Sequence, residues 1–123
     1  MKDLFSSHSK IYAAFRPTYP KALYEFIFQH VGGKNSAWDC ATGNGQVAKY
    51  LSYYFDKVYA TDISQQQLDQ AAREENIFYS KTPAERTGFP DDQFDLITVA
   101  QALHWFDRDS FYSEALRVAK PNA

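Results

Sequence analysis

The chain has 123 residues with a formal net charge of -2; 45% of them are hydrophobic, and five are Gly and five Pro. That length fits one domain with its own core, and the composition excludes a disordered or collagenous chain. Acids and bases interleave, which leaves no footprint for nucleic acid or an anionic membrane, and no apolar run approaches the ~20 residues that span a bilayer.

Residues 1–19 are rich in aromatics and hydroxyls and have weak periodicity. Pro20 opens a predicted helix with an apolar stripe of Leu23, Phe26, Ile27 and Val31, stopped by Gly32-Gly33. Residues 37–40 read as a short buried strand ending in a glycine loop, DCATGNGQVA from Asp39 to Ala48. Val47, Ala48, Leu51, Tyr54 and Phe55 then form a second helical stripe, and residues 57–61 (KVYAT) a second strand ending at Asp62. Ser64 and Gln67 match a capping box, with Gln67 reaching back, for a helix predicted to run to about Glu75.

Residues 77–80 read as a third strand and residues 82–93 as a polar loop. Residues 94–100 (FDLITVA) are almost unbroken apolar sequence, which predicts a fourth strand covered on both faces. Asp107 or Ser110 caps a last helix, with Phe111, Tyr112, Ala115, Leu116 and Ala119 predicted inward. Alternating strands and helices imply a parallel sheet with right-handed crossovers, a three-layer α/β/α arrangement.

In such a sheet, ligands bind at the carboxyl ends of the strands. The loop lies there, and Gly43-Asn44-Gly45-Gln46-Val47-Ala48 satisfies the relaxed dinucleotide fingerprint GxGxxA. Asp39, just before the loop, points elsewhere: a carboxylate repels a pyrophosphate and favours a ligand carrying an ammonium or sulfonium. No Lys-Ser/Thr pair follows the glycines, which excludes a P-loop. The absence of CxxC, HxxxH or an acidic calcium loop gives no reason to expect a metal. The N-terminal MKDLFSSHSKIYAAF lacks the apolar core of a secretory signal, and the lone Cys40 suits a reducing cytoplasm, the expected location.

Asp39-x-x-Thr42-Gly43-x-Gly45 resembles the first motif of class I S-adenosylmethionine-dependent methyltransferases. Ala84-Glu85, Phe89-Pro90 and Phe94-Asp95-Leu96-Ile97 resemble that family's AE…FP…FDLI segment. Residues 9–20 (SKIYAAFRPTYP) with AQALHWFD resemble the methyltransferase type 11 group that includes trans-aconitate methyltransferase-like enzymes. The resemblance implies a Rossmann-like fold, S-adenosylmethionine as cofactor and a small-molecule acceptor, a carboxylate being one candidate. It implies that Asp62 holds both ribose hydroxyls, with Ile63 beside it, and that Ala84 and Glu85 meet the adenine. Asp39, Ala41, Thr42, Gly43, Gly45 and Gln101 would line the remainder of the cofactor, and Tyr12 and Arg16 would lie over it in a lid formed by residues 1–19.

His104, beside the expected methionine end, is the candidate base or acceptor-binding residue, or else a packing residue; a carboxylate acceptor needs no base. The family continues past KPxG into further strands, so the chain reads as its N-terminal portion, truncated after the fourth strand and its helix. That leaves the fourth strand as an apolar edge, suited to pairing in a homodimer. Two other readings stay open: a non-catalytic module that binds cofactor and dimerises, and a dinucleotide-dependent oxidoreductase.

Overall fold

The computed structural model describes residues 19–99 and 107–123. In chain order the elements are α1 (Lys21–His30), β1 (Ser36–Cys40), α2 (Gln46–Ser52), β2 (Lys57–Asp62), α3 (Gln65–Asp69), β3 (Ile77–Lys81), β4 (Leu96–Val99) and α4 (Arg108–Val118). The strands form one parallel sheet in the order β3-β2-β1-β4. The chain therefore steps outward from β1 to β3 and then returns to the other side of β1. This reversal makes a switch point at the carboxyl ends of β1 and β4, the kind of place where open α/β sheets hold ligands.

The pleat sorts the side chains onto two faces. Ala37, Val58, Ala60 and Ile77 face α2, packing with Ala48, Leu51 and Phe55. Trp38 and Cys40 face α4 and the polar loop, packing with Ala84, Phe94, Phe111 and Val118. The indole N–H of Trp38, fully buried, donates to Thr61 Oγ1 at 2.9 Å, so burial leaves no polar group without a partner there.

α1 turns a different stripe inward from the one its apolar pattern predicts. Tyr24 is buried, with Ile27 and Phe28 partly so, while Leu23 is exposed and Phe26 is 60% exposed. Aromatic stacking against α2 decides the rotation: Tyr24 lies on Tyr50 with centroids 4.5 Å apart, and Phe28 lies on Tyr54 at 4.2 Å.

α3 stops at Asp69 rather than near Glu75. The Ala72 amide donates to Asn44 O at 3.2 Å, and the Tyr79 hydroxyl donates to Ala72 O. These bonds draw residues 70–75 out of helix and toward the glycine loop, overriding the helical propensity of AAREE. Ser64 caps α3 as expected, its Oγ accepting from Gln67 N at 3.2 Å. The reciprocal half of the box is replaced, because Ser64 N donates to Asp62 Oδ1.

β4 spans Leu96–Val99, and its four residues are partly exposed rather than covered on both faces. Phe94 leaves the expected strand to pair with the C-terminal segment: its amide donates to Val118 O, and Lys120 N donates to its carbonyl. Asp95 holds this corner, accepting from the Asn35 and Ser36 amides and from Lys120 Nζ. A Cβ on Gly33 would strike its carboxylate, so glycine is needed there for close approach. On α4, Phe111 and Val118 are buried and Ala115 is partly buried, whereas Tyr112 is exposed and Leu116 is 77% exposed. Glu114 faces the polar loop instead, accepting from the Thr87 amide and hydroxyl, and Arg117 pairs with Glu114 and Asp91. No helix among the described residues is long and apolar enough to cross a membrane.

Candidate functional site

The loop after β1 is held open by backbone geometry. Ala41, Gly43 and Gly45 all have positive φ, at 56°, 58° and 83°. Thr42 N donates to Thr61 O at 2.8 Å and Gly45 N to Thr42 O at 2.9 Å, tying the loop to the end of β2. A Cβ on Gly43 would meet nothing within 4 Å, so the loop's crest opens on free space. At Gly45 the space is closed, because the Tyr79 hydroxyl stands where a side chain would go.

Asp62 ends β2 beside this crest. Its Oδ2 accepts from Gly43 N and its Oδ1 from Ser64 N, each at 2.9 Å. Each oxygen thus spends one acceptor direction on the backbone and keeps capacity for another donor. The side chain sits in a cleft of about 350 Å³ that Cys40, Ala41, Gly43, Ile63, Ala84 and Glu85 also line, with Ser64, Gln67 and Thr82. Ile63 is 70% exposed there, an apolar group fit to cover the flat face of a ligand. The Cys40 thiol is held neutral, its pKa pushed far up by burial.

Asp39 lies behind the loop and is 2% exposed. Its Oδ2 accepts from Thr42 Oγ1 at 2.6 Å and its Oδ1 from Thr98 Oγ1 at 2.7 Å. Burial raises its pKa to about 6, against the lowering effect of those hydroxyls and the Ala48 amide. The carboxylate's two oxygens are thus already engaged by side-chain hydroxyls of the protein itself. Gly43 N is committed to Asp62 and Gly45 N to Thr42, which leaves these amides unfitted for a pyrophosphate.

Of the residues singled out in the sequence, Ala41, Gly43, Asp62, Ile63, Ala84 and Glu85 come together around the cleft. Asp39, Thr42 and Gly45 support it from behind. Glu85 has a partner, accepting from the Asp107 amide at 3.1 Å at the start of α4. Tyr12, Arg16, Gln101 and His104 lie outside the described residues. The sequence reading missed Ser64, Gln67 and Thr82 as cleft residues and Thr98 as a partner of Asp39. Thr98 carried a signal, as a hydroxyl within the otherwise apolar LITV. Among the described residues, no group of three or more His, Cys, Asp or Glu is placed to hold a metal ion.

The residues thus gathered are a backbone-anchored acid, an apolar flank and a glycine crest at the end of a parallel sheet. A family model described as a methyltransferase domain matches residues 38–123. The chain belongs to the methyltransferase domain family. Its Rossmann-like fold is that of class I methyltransferases, a family that uses S-adenosylmethionine.

A Dictyostelium discoideum protein provisionally named a methyltransferase is 42% identical over 121 residues, covering 98% of this chain and 46% of that protein. The ubiquinone/menaquinone biosynthesis C-methyltransferase UbiE of Rickettsia massiliae is 32% identical over 111 residues, covering 79% of this chain and 45% of that one. A solved structure provisionally named a type II methyltransferase, from Anaeromyxobacter dehalogenans, is 40% identical with a TM-score of 0.82, covering 87% of this chain and 46% of that chain. The chain spans about half the length of these methyltransferases.

Proposed function

We propose that this chain is the cofactor-binding part of an S-adenosylmethionine-dependent methyltransferase acting on a small molecule. One observation carries the reading: the Asp62 carboxylate is fixed by two backbone amides, faces a cleft, and keeps an acceptor site on each oxygen. Two adjacent ribose hydroxyls fit such a carboxylate with parallel charge-assisted hydrogen bonds. Ile63 and Ala84 would cover the faces of the adenine, with Glu85 at its edge. The loop from Ala41 to Gly43 would carry the methionine end. The cofactor supplies an electrophilic methyl on a sulfonium; the protein orients the acceptor oxygen, nitrogen or carbon in line with it and keeps water out.

A small carboxylate is our proposed acceptor class, an anion that needs no general base. His104 is proposed to bind it or to take a proton from a neutral acceptor instead. The commitment of the loop amides to Asp62 and Thr42 favours this reading over a dinucleotide oxidoreductase. Thermal unfolding with added S-adenosylhomocysteine, adenosine or NADH tests it. A rise in Tm with S-adenosylhomocysteine exceeding that with adenosine, and none with NADH, is expected. Stabilisation by NADH alone would restore the oxidoreductase.

A further inference from the structure

We propose that Thr98 is a positioning residue for the cofactor loop: it acts from β4, through Asp39 and Thr42, on the amide that orients Asp62. The inference rests on the cofactor reading above and adds a residue to it. Thr98 is the register partner of Asp39 across the β1–β4 pair, and its hydroxyl donates to Asp39 Oδ1. The other oxygen accepts from the Thr42 hydroxyl. The amide following Thr42, that of Gly43, donates to Asp62 Oδ2. Three strand ends and the glycine loop are thus joined through one buried carboxylate, next to Ala41 at a φ of 56° that the loop must sustain.

As the contacts stand, both hydroxyls donate to an ionised Asp39. A proton on Asp39 makes one oxygen a donor, and the threonine hydroxyl facing it must turn to accept, which changes the chain of contacts leading to Asp62. Among the described residues, the other titratable groups coupled to Asp39 carry no positive charge: Asp62 at the end of β2, Tyr24 of α1, Tyr79 of β3 and the neighbouring Cys40. The hydroxyls of Thr42 and Thr98 and the Ala48 amide are what hold the charge in place. Removing the Thr98 hydroxyl takes away one of these donors, so Asp39 should take up its proton, and the loop amides should report it, at a higher pH than in the wild type.

The test is a pH titration of the ¹⁵N-labelled chain by NMR, following the Thr42 and Gly43 amides, with no ligand present. A wild-type midpoint near 6 is expected. Thr98→Val keeps the β-branched shape suited to a strand and should raise the midpoint by about one pH unit, while Thr98→Ser should restore it. A parallel titration with S-adenosylhomocysteine should find Thr98→Val about threefold weaker near pH 6.5, with the gap closing above about pH 8, as the ionised fraction dictates. An unchanged midpoint in Thr98→Val, or a binding deficit that is the same at every pH, overturns the proposal. If the wild type binds no S-adenosylhomocysteine, the cofactor reading fails, and the midpoints alone decide the role of Thr98.

Discussion

Replacing Gly45 by alanine should destabilise the fold through two separable effects. The residue sits at φ 83°, a conformation that costs an L-residue roughly 1–2 kcal/mol. The added methyl also meets the Tyr79 hydroxyl, which must swing away from Ala72 O and give up its hydrogen bond, at a further cost of about 1 kcal/mol or more. Gly43→Ala is the control, with φ 58° and open space where the methyl goes, so it should show the conformational term alone, roughly 1–2 kcal/mol. In a Tyr79→Phe background the colliding oxygen is gone, and the cost of Gly45→Ala should fall toward that of Gly43→Ala. Urea unfolding at 25 °C resolves such differences through the midpoint at constant slope. Equal costs for the two glycine variants, with no rescue by Tyr79→Phe, would refute the packing of β3 against the loop.

Three further outcomes are expected. Asp39 has its pKa raised from 3.8 to about 6, so the folded state holds its proton more tightly than the unfolded chain does. The stabilisation this gives is complete below about pH 4 and lost as pH rises through about 6, on the order of 3 kcal/mol. Asp39→Asn should flatten that slope in pH-dependent urea unfolding, and an undiminished slope would assign it to other groups. Glu114 is the opposite case: hydrogen bonding to Arg117 lowers its pKa to about 2, so its contribution is lost as pH falls from about 4.5 through about 2. Glu114→Gln should make acid unfolding shallower in that range; no change would assign that slope to other groups. We also propose that two copies pair along the outer edge of β4, and light scattering at micromolar concentration should then give a dimer mass, a monomer mass counting against it.

Strand positions were legible because runs such as KVYAT and FDLITVA carry β-branched residues, although the second of these was read as starting two residues early, and the Ser64 cap announced itself by its spacing to Gln67. Asp62 was legible as a cleft residue because it ends the second strand beside the glycine loop, and the fold also uses it to hold the Gly43 and Ser64 amides. Helix faces were not. In α1 the apolar spacing named Leu23 and Phe26, but ring stacking with Tyr50 and Tyr54 turned Tyr24 and Phe28 inward. Nothing local marks such a contact between two helices. The end of α3 depended on Asn44 and Tyr79, partners distant in sequence, which local propensity cannot register. Asp39 was read as an acid for the ligand; the partners the fold gives it are the hydroxyls of Thr42 and Thr98. The donor it takes from Thr98 is 59 positions away, beyond any motif.

The central claim is that Asp62 holds the ribose of S-adenosylmethionine. Calorimetric titration of this chain with S-adenosylhomocysteine, beside Asp62→Ala, tests it most directly. Micromolar binding by the wild type and its loss in the variant is the predicted result. Binding that survives Asp62→Ala undiminished, or a wild type that binds NADH and not S-adenosylhomocysteine, would contradict the account.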